Sequence, residues 1–347
     1  VGFTCDKKVA AAYKLHQIDT EDKMCGICGF TGYRQDQKTV IERMMKAIEH
    51  RGPDSEGSFC REKITLGFRR LSIIDLEDGQ QPMESTDGNL HIVFNGEIYD
   101  YKELRAELEA FGISFCTHSD TEVLINTIQL YGEKALNKLR GMFGFAVWNE
   151  QEQSLMLARD FFGIKPVYYA EIDGHFVFAS EIKSILAFPG YERKVNQKAL
   201  EQYLSFQYSP LEETFFKGIY KLMPGHMLLY KNGSYEIKTY FKPKLTPGQW
   251  NHKTNMAQLR SQLSEILKDS VKHHMLSDVE VGAFLSGGVD SGYLASSSGA
   301  DQAFTVGFDE GDRYSEVNKA AKVAEKAGLK HHVKIISKQE FWDVLPD

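Results

Sequence analysis

Residues 20–30 read TEDKMCGICGF. Cys25 follows Met24 directly, and small and apolar residues follow the cysteine. A chain begins this way when its second residue is to act as a nucleophile. Met24 nevertheless has residues 1–23 ahead of it. The residues after Cys28 look like a strand.

The chain around this stretch has 347 residues, which predicts two domains. Apolar residues make up 42%, enough for real cores. The net charge of −7 and the lack of a basic stretch argue against a nucleic-acid partner. No apolar run approaches the ~20 residues that span a bilayer, and residues 1–23 lack the apolar centre of a signal peptide. A cytoplasmic location with no membrane partner is the expectation.

Five cysteines, Cys5, Cys25, Cys28, Cys60 and Cys116, are too few for a disulfide framework. Cys25 and Cys28 form a C-x-x-C, but Cys60 and Cys116 do not complete a zinc site. The following strand does not fit a thioredoxin-like pair either. The adjacent pairs His273, His274 and His331, His332 lack i,i+4 ligand spacing, so no protein residue is assigned to a metal.

From residue 25 to 242 the pattern is one of short strands: LHIVF (90–94), FGFAVWN (143–149), SLMLAR (154–159), HFVFAS (175–180) and HMLLY (226–230). Two helices interrupt them. One puts Leu104, Leu108 and Phe111 on one face and stops at Gly112. The other groups Val123, Leu124 and Ile128 and stops at Gly132. This predicts packed sheets with helices outside. Residues 243–255 read as a linker. In 256–347 a helix with Leu259, Leu263, Ile266, Leu267 and Val271 precedes an alternation of strand and helix that starts with VEVGAFL. That is a parallel α/β sheet of about three strands, an incomplete domain of its class.

Within it, FLSGGVDSG (284–292) places glycines and serines between a strand and a helix. Exposed backbone N–H groups and the helix dipole make an anion site there. It is neither a Walker loop nor a dinucleotide fingerprint. The segment resembles the SGGxDS loop of the ATP pyrophosphatase (PP-loop) family, which cleaves ATP to AMP and pyrophosphate. The resemblance implies that Ser286, Gly287, Gly288, Val289, Asp290 and Ser291 hold the pyrophosphate, with Asp290 near the Mg²⁺-bound phosphates. Leu285 and Val306 would line the adenine nucleotide site. Gly292 departs from the pattern, where a second serine is common.

MCGICGF, HRGPDSEG, FRRLSIID, NGEIYDY, SDTEV and RDFFGIKPVYY follow one another in that order. From Met24 onward the set resembles the glutamine-dependent asparagine synthetases. The implied fold is an α+β N-terminal-nucleophile (αββα) glutaminase domain of the class II amidotransferases over 25–242, followed by a partial α/β PP-loop ATP pyrophosphatase domain over 256–347. The implied partners are L-glutamine, L-aspartate and ATP with Mg²⁺. The oligomeric state, a homodimer among the options, stays open.

Amide hydrolysis needs a nucleophile, a base and an oxyanion stabiliser. An N-terminal thiol takes its base from its own α-amine, of pKa about 7.7–8.0. The resemblance makes Cys25 the nucleophile and Asn95 and Gly96 the oxyanion donors, presented by an Asn-Gly turn after LHIVF. It assigns glutamine binding to Arg70 rather than Arg69, with Leu71, Ser72, Ile73 and Ile74 beside it. Asn95, Gly96, Glu97 and Asp120 complete that set, the two carboxylates for the α-ammonium. Asp120 also opens a helix, and an N-cap is its alternative role. His50 and Arg51 are expected to organise the loop around Cys25.

Met24 is therefore the expected native start, and residues 1–24 an extension or read-through with the initiator methionine. Removal of Met24 would expose Cys25. The full protein would form β-aspartyl-AMP and amidate it with ammonia carried internally from Cys25. The alternatives are an amidotransferase of the same plan with another acceptor acid, or a nonfunctional chain whose extension blocks the nucleophile.

Overall fold

Alternation along the strands builds the first unit. In the computed structural model, which describes residues 24–72, 75, 78–244, 255–309 and 315–345, the chain opens with β1 (Gly26–Thr31), α1 (Gln37–Lys46), β2 (Ser55–Cys60), β3 (Ile64–Arg70), β4 (Met83–Glu84) and β5 (Leu90–Ile98). Then come α2 (Tyr101–Ala110), α3 (Asp120–Tyr131), β6 (Gly141–Asn149), β7 (Ser154–Arg159), β8 (Tyr168–Ile172) and β9 (His175–Ala179). The unit closes with α4 (Ile182–Leu186), α5 (Gln197–Phe206), β10 (Ile219–Lys221), β11 (His226–Lys231) and β12 (Ser234–Thr239). The strands form two antiparallel sheets, ordered β10-β8-β9-β1-β3-β2 and β12-β11-β7-β6-β5-β4.

Successive side chains of a strand point to opposite faces, so each central strand feeds two cores. Ile27 of β1, Phe68 of β3, Val93 of β5, Trp148 of β6 and Leu157 of β7 meet between the sheets. Cys28 and Phe30 of β1 turn the other way, against Ile41 and Met44 of α1 and Ile185 of α4. Phe94 of β5, Phe145 of β6 and Ala158 of β7 pack under Leu104 and Leu108 of α2 and Val123 and Leu124 of α3. The result is four layers, αββα. Runs such as LHIVF are apolar throughout because both faces are covered.

Three local differences from the sequence pattern stand out. Phe111 is the C-cap of α2 and is exposed, whereas Leu104 and Leu108 are buried; the helix stops before Phe111 can share their face. Asn95 and Gly96 make no turn: β5 runs on to Ile98, with Asn95 opposite Gly144 and Gly96 opposite Phe143. Pairing with β6 overrides the local turn preference, and Gly96 is needed for close approach, since a Cβ there would lie 2.1 Å from the carbonyl oxygen of Met142. The N-cap of α3 is Ser119, whose hydroxyl accepts from Thr121 N–H at 3.1 Å. Asp120 is thereby free for another role.

The second unit comprises α6 (Met256–His274), β13 (Ala283–Phe284), α7 (Val289–Ser297), β14 (Gln302–Phe308), α8 (Val317–Ala327), β15 (Lys330–Ile336) and α9 (Lys338–Val344). The three strands are parallel, with β14 central. Leu285, Ala295, Ala303, Ala320 and Ala324 make a small core under α7 and α8. VEVGAFL pairs only at Ala283 and Phe284, and Phe284 is 82% exposed. Val306 and Phe308 are exposed too, so among the described residues nothing covers that face. Of the expected face of α6, only Val271 is buried. Most of the linker, 245–254, and the extension 1–23 lie outside the described residues. The two units touch at Arg140–Asp269 (2.5 Å) and at Tyr99–His274, whose rings are 4.5 Å apart. Asp75 N–H also donates to Asp278 at 2.9 Å.

Candidate active site

Between the two sheets, where β1 begins, β3 ends and β5 runs out, lies a pocket. It is lined by Cys25, Arg70, Leu71, Asn95, Gly96, Glu97, Asp120 and Lys165, with Met24 at its wall. Antiparallel pairing makes this neighbourhood inevitable: Gly26 sits opposite Arg69, so the residue before β1 meets the end of β3. β5 then brings Asn95, Gly96 and Glu97 from the facing sheet.

The Cys25 thiol lies 3.4 Å from both the carbonyl oxygen and the N–H of Leu71. Burial pushes this thiol up, while the Leu71 backbone and the Lys165 charge draw it down. Arg51 Nε donates to the Cys25 carbonyl (3.0 Å) and Arg51 Nη1 to Glu181 (2.9 Å), which His50 also meets at 3.0 Å. His50 and Arg51 therefore brace the backbone of Cys25 from behind. Cys28 belongs to the opposite face of β1, fully buried, its thiol pushed up to about 12 by burial. The two sulfurs of the C-x-x-C do not share a site.

Asn95 is 1% exposed, and its side-chain Nδ2 has no hydrogen-bond partner. A buried amide donor without a protein partner costs about 1–3 kcal/mol, so Asn95 Nδ2 is available to a group that enters the pocket. Arg70 lines the pocket and donates through Nη2 to the Asp75 carbonyl. Arg69 points away, to Gly52 O (3.1 Å), Glu49 and Glu56. Asp120 Oδ2 accepts from Ile98 N–H at 3.0 Å. Burial, reinforced by the Glu97 charge, pushes its carboxyl up to about 7. Burial also raises Glu97, against the Lys165 charge.

Of the residues singled out in the sequence, Ser72 is not at the pocket: its N–H donates to Asp54 (2.9 Å). Ile73 and Ile74 lie outside the described residues. Lys165 and Gln81 line the pocket without having been singled out. Gln81 clasps Phe94, accepting from its N–H (2.6 Å), and donates to Thr121 (3.2 Å), so it props β5 against α3. Nothing local in the sequence marks Gln81. Lys165 lies in the segment RDFFGIKPVYY, whose sequence alone points to no role for this lysine.

In the second unit the glycine loop lies between β13 and α7. The hydroxyls of Ser286 and Ser291 are 2.9 Å apart, and Gly288 caps α7 with no side-chain hydrogen bond, leaving first-turn N–H groups open. Gly287 has φ +76°, and a Cβ there would lie 2.7 Å from Lys319 Cβ. Leu285 is buried and bonded to Phe304 O (2.8 Å), Val289 and Val306 are exposed, and Asp290 sits in the first turn of α7. Backbone donors and small residues fit a polyphosphate. Among the described residues no three His, Cys, Asp or Glu converge on a metal position.

Residues 24–241 match the family described as glutamine amidotransferase domain, and residues 262–347 match asparagine synthase. The chain is 43% identical over 333 residues to asparagine synthetase [glutamine-hydrolyzing] 1 of Bacillus subtilis, covering 92% of this chain and 52% of that protein. It is 35% identical over 352 residues to a putative asparagine synthetase [glutamine-hydrolyzing] of Mycobacterium bovis, covering 93% and 54%. The chain thus spans about half the length of these curated relatives. A solved structure described as the allosteric regulatory enzyme of purine biosynthesis superposes with TM-score 0.51 at 16% identity, over 90% of this chain and 80% of that one, which is a likeness of fold. No helix among the described residues is long and apolar enough to cross a membrane.

Proposed function

The chain belongs to the glutamine amidotransferase family, in the two-domain plan of the glutamine-hydrolysing asparagine synthetases, and from that premise we propose that its first unit hydrolyses glutamine at Cys25. The supporting observation is one pocket that holds a thiol beside a buried, unpartnered amide donor, Asn95 Nδ2.

Arg70 takes the α-carboxylate in a two-point fork, and Glu97 and Asp120 take the α-ammonium. The thiol of Cys25 attacks the side-chain carbonyl carbon, and its proton passes to the freed α-amine of Cys25. Charge then develops on the carbonyl oxygen, where Asn95 and the Gly96 N–H receive it. Collapse breaks the C–N bond, the proton returns to the leaving nitrogen, and ammonia departs. Water cleaves the remaining thioester to glutamate. With Met24 attached, the nitrogen of Cys25 is an amide and no base, so the active form begins at Cys25.

For a protein of the relatives' full length we propose that the SGGVDS loop would hold Mg-ATP, that aspartate would be activated as β-aspartyl-AMP, and that ammonia would displace AMP. The cytoplasm is the proposed location. The test compares ammonia release from glutamine by a form beginning at Cys25 with one that retains Met24, both verified by mass spectrometry. Equal activity in the two forms would rule out the amine as base. The blocked-chain reading keeps one support: Met24 Sδ lies 2.9 Å from Lys165 Nζ, inside the pocket.

A further inference from the structure

We propose that Lys165 is a positioning residue of this glutaminase: its ammonium is the countercharge that favours the Cys25 thiolate and keeps the freed amine of Cys25 a neutral base. This rests on the glutaminase reading above.

The first ground is the turn that carries it. Asp160 accepts from the N–H groups of Phe162 (3.1 Å), Ile164 (2.9 Å) and Lys165 (2.9 Å). Arg159 donates to the carbonyls of Gly163 (2.6 Å), Lys165 (2.8 Å) and Leu222 (2.7 Å). Gly163 supplies a φ of +69°. Two charged side chains are thus spent on fixing a six-residue bend whose last residue faces the pocket.

The second ground is what the ammonium meets there. Lys165 is 6% exposed, and its Nζ donates to the thioether of Met24. A thioether is a weak acceptor, and burial draws the Lys165 amine below its usual range, against the Glu97 charge that supports its ammonium form. Loss of Met24 removes that acceptor and leaves the ammonium directed at the site of the nucleophile.

The third ground is the set of charges around it. The charges that act on Lys165 are those of Glu97 from β5, Arg51 from the loop after α1, Cys25, and Asp160 from its own turn. Facing Cys25 are Lys165, Arg70 and Asp120. Arg51 is committed to Glu181 and the Cys25 carbonyl, and Arg70 is assigned to the substrate carboxylate. Among the described residues that act on Cys25, Lys165 is then the cation that opposes Asp120, whose charge on its own would disfavour a thiolate. A nearby positive charge lowers the pKa of both a thiol and an amine.

The experiment uses the protein in the form beginning at Cys25 and follows alkylation of Cys25 by iodoacetamide against pH, read by peptide mass spectrometry. This readout needs no glutamine. Lys165→Met should move the midpoint of the profile alkaline by about one pH unit, the scale of one nearby charge, while Lys165→Arg stays near the parent. At pH 7 Lys165→Met should lose at least tenfold in kcat/KM for glutamine and regain much of it as pH rises. If the methionine variant does not fold, Lys165→Gln reads the same shift. An unchanged midpoint in a folded variant overturns the proposal. A shifted midpoint in a protein that never hydrolyses glutamine keeps the effect on Cys25 and overturns the glutaminase reading instead.

Discussion

The carboxylate of Asp278 accepts a hydrogen bond from the N–H of Asp75 at 2.9 Å, joining residues 203 apart in sequence. Asp75 in turn accepts from Arg70 through its carbonyl and from His118 N–H (2.9 Å) through its carboxylate. The second unit thereby holds the loop that fixes Arg70. Asp278→Ala should raise KM for glutamine roughly fivefold, the worth of one hydrogen bond of about 1 kcal/mol, with kcat little changed. Steady-state ammonia release decides this; a fall in kcat at constant KM would show that the contact acts elsewhere.

The two cysteines of the C-x-x-C should separate cleanly. Cys25→Ala is expected to abolish ammonia release in a protein that still folds. Cys28→Ser should keep kcat/KM per folded molecule but lower the melting temperature, because it places a hydroxyl in the apolar core between β1 and α1 at a cost of about 1–3 kcal/mol. Thermal unfolding beside the activity assay checks both. Loss of activity in a folded Cys28→Ser would revive a paired-thiol mechanism.

Asn95→Ala removes the buried donor without disturbing the backbone pairing of β5 with β6. Loss of an oxyanion donor costs about 10²–10³ in kcat, with KM near its parent value. Relief of the unpartnered Nδ2 should leave the variant no less stable in the absence of glutamine. A KM effect without a kcat effect would assign Asn95 to ground-state binding.

Asp120 sets a pH dependence whose sign follows from its raised carboxyl. The folded state holds its proton up to about 7, whereas the unfolded chain releases it near 4. The native state therefore binds more protons in that window, and this group's stabilisation is present below the unfolded pKa and is lost as pH rises to about 7. Asp120→Asn should flatten that fall, as read by melting temperature from pH 4 to 8. Glutamine affinity should run the other way in the parent and strengthen with pH, since the α-ammonium needs the ionised carboxylate. Parallel melting curves in the two proteins would sink this account.

Gly287→Ala tests the phosphate loop. The residue needs φ +76°, and its Cβ would press on Lys319 of α8. Weakened nucleotide binding by isothermal calorimetry, with ammonia release from glutamine kept, is the expected outcome. Unimpaired binding would move the nucleotide away from this loop.

Much of this site was legible because its residues sit in short motifs. MCGICGF, FRRLSI and NGE carry Cys25, Arg70, Asn95, Gly96 and Glu97, which the structure brings to one pocket. Periodicity located both helices over the second sheet. It missed where β5 ends, because the pull of Asn-Gly towards a turn is local and pairing with β6 is not. It missed Gln81 because that role depends on Phe94 and Thr121, both distant in sequence. It placed VEVGAFL in a buried strand because an apolar run says that a face is hidden, not what hides it.

The strand behind the nucleophile has a consequence for timing. β1 is held between β3 and β9, so Cys28 pairs with both Gly67 and Ala179. A ribosome adding ~5–20 residues per second needs roughly 8–30 s to pass from Cys25 to β9. For that interval β1 would lack its β9 partner, and the Met24–Cys25 bond would be more open to a peptidase than in the finished sheet. Once β9 docks, Met24 is drawn against Lys165 with its N–H bonded to Arg51 O at 2.8 Å. On the proposed mechanism, release of Cys25 from Met24 and docking of β9 would then compete for the same backbone, and a chain that folds first would keep its nucleophile sealed.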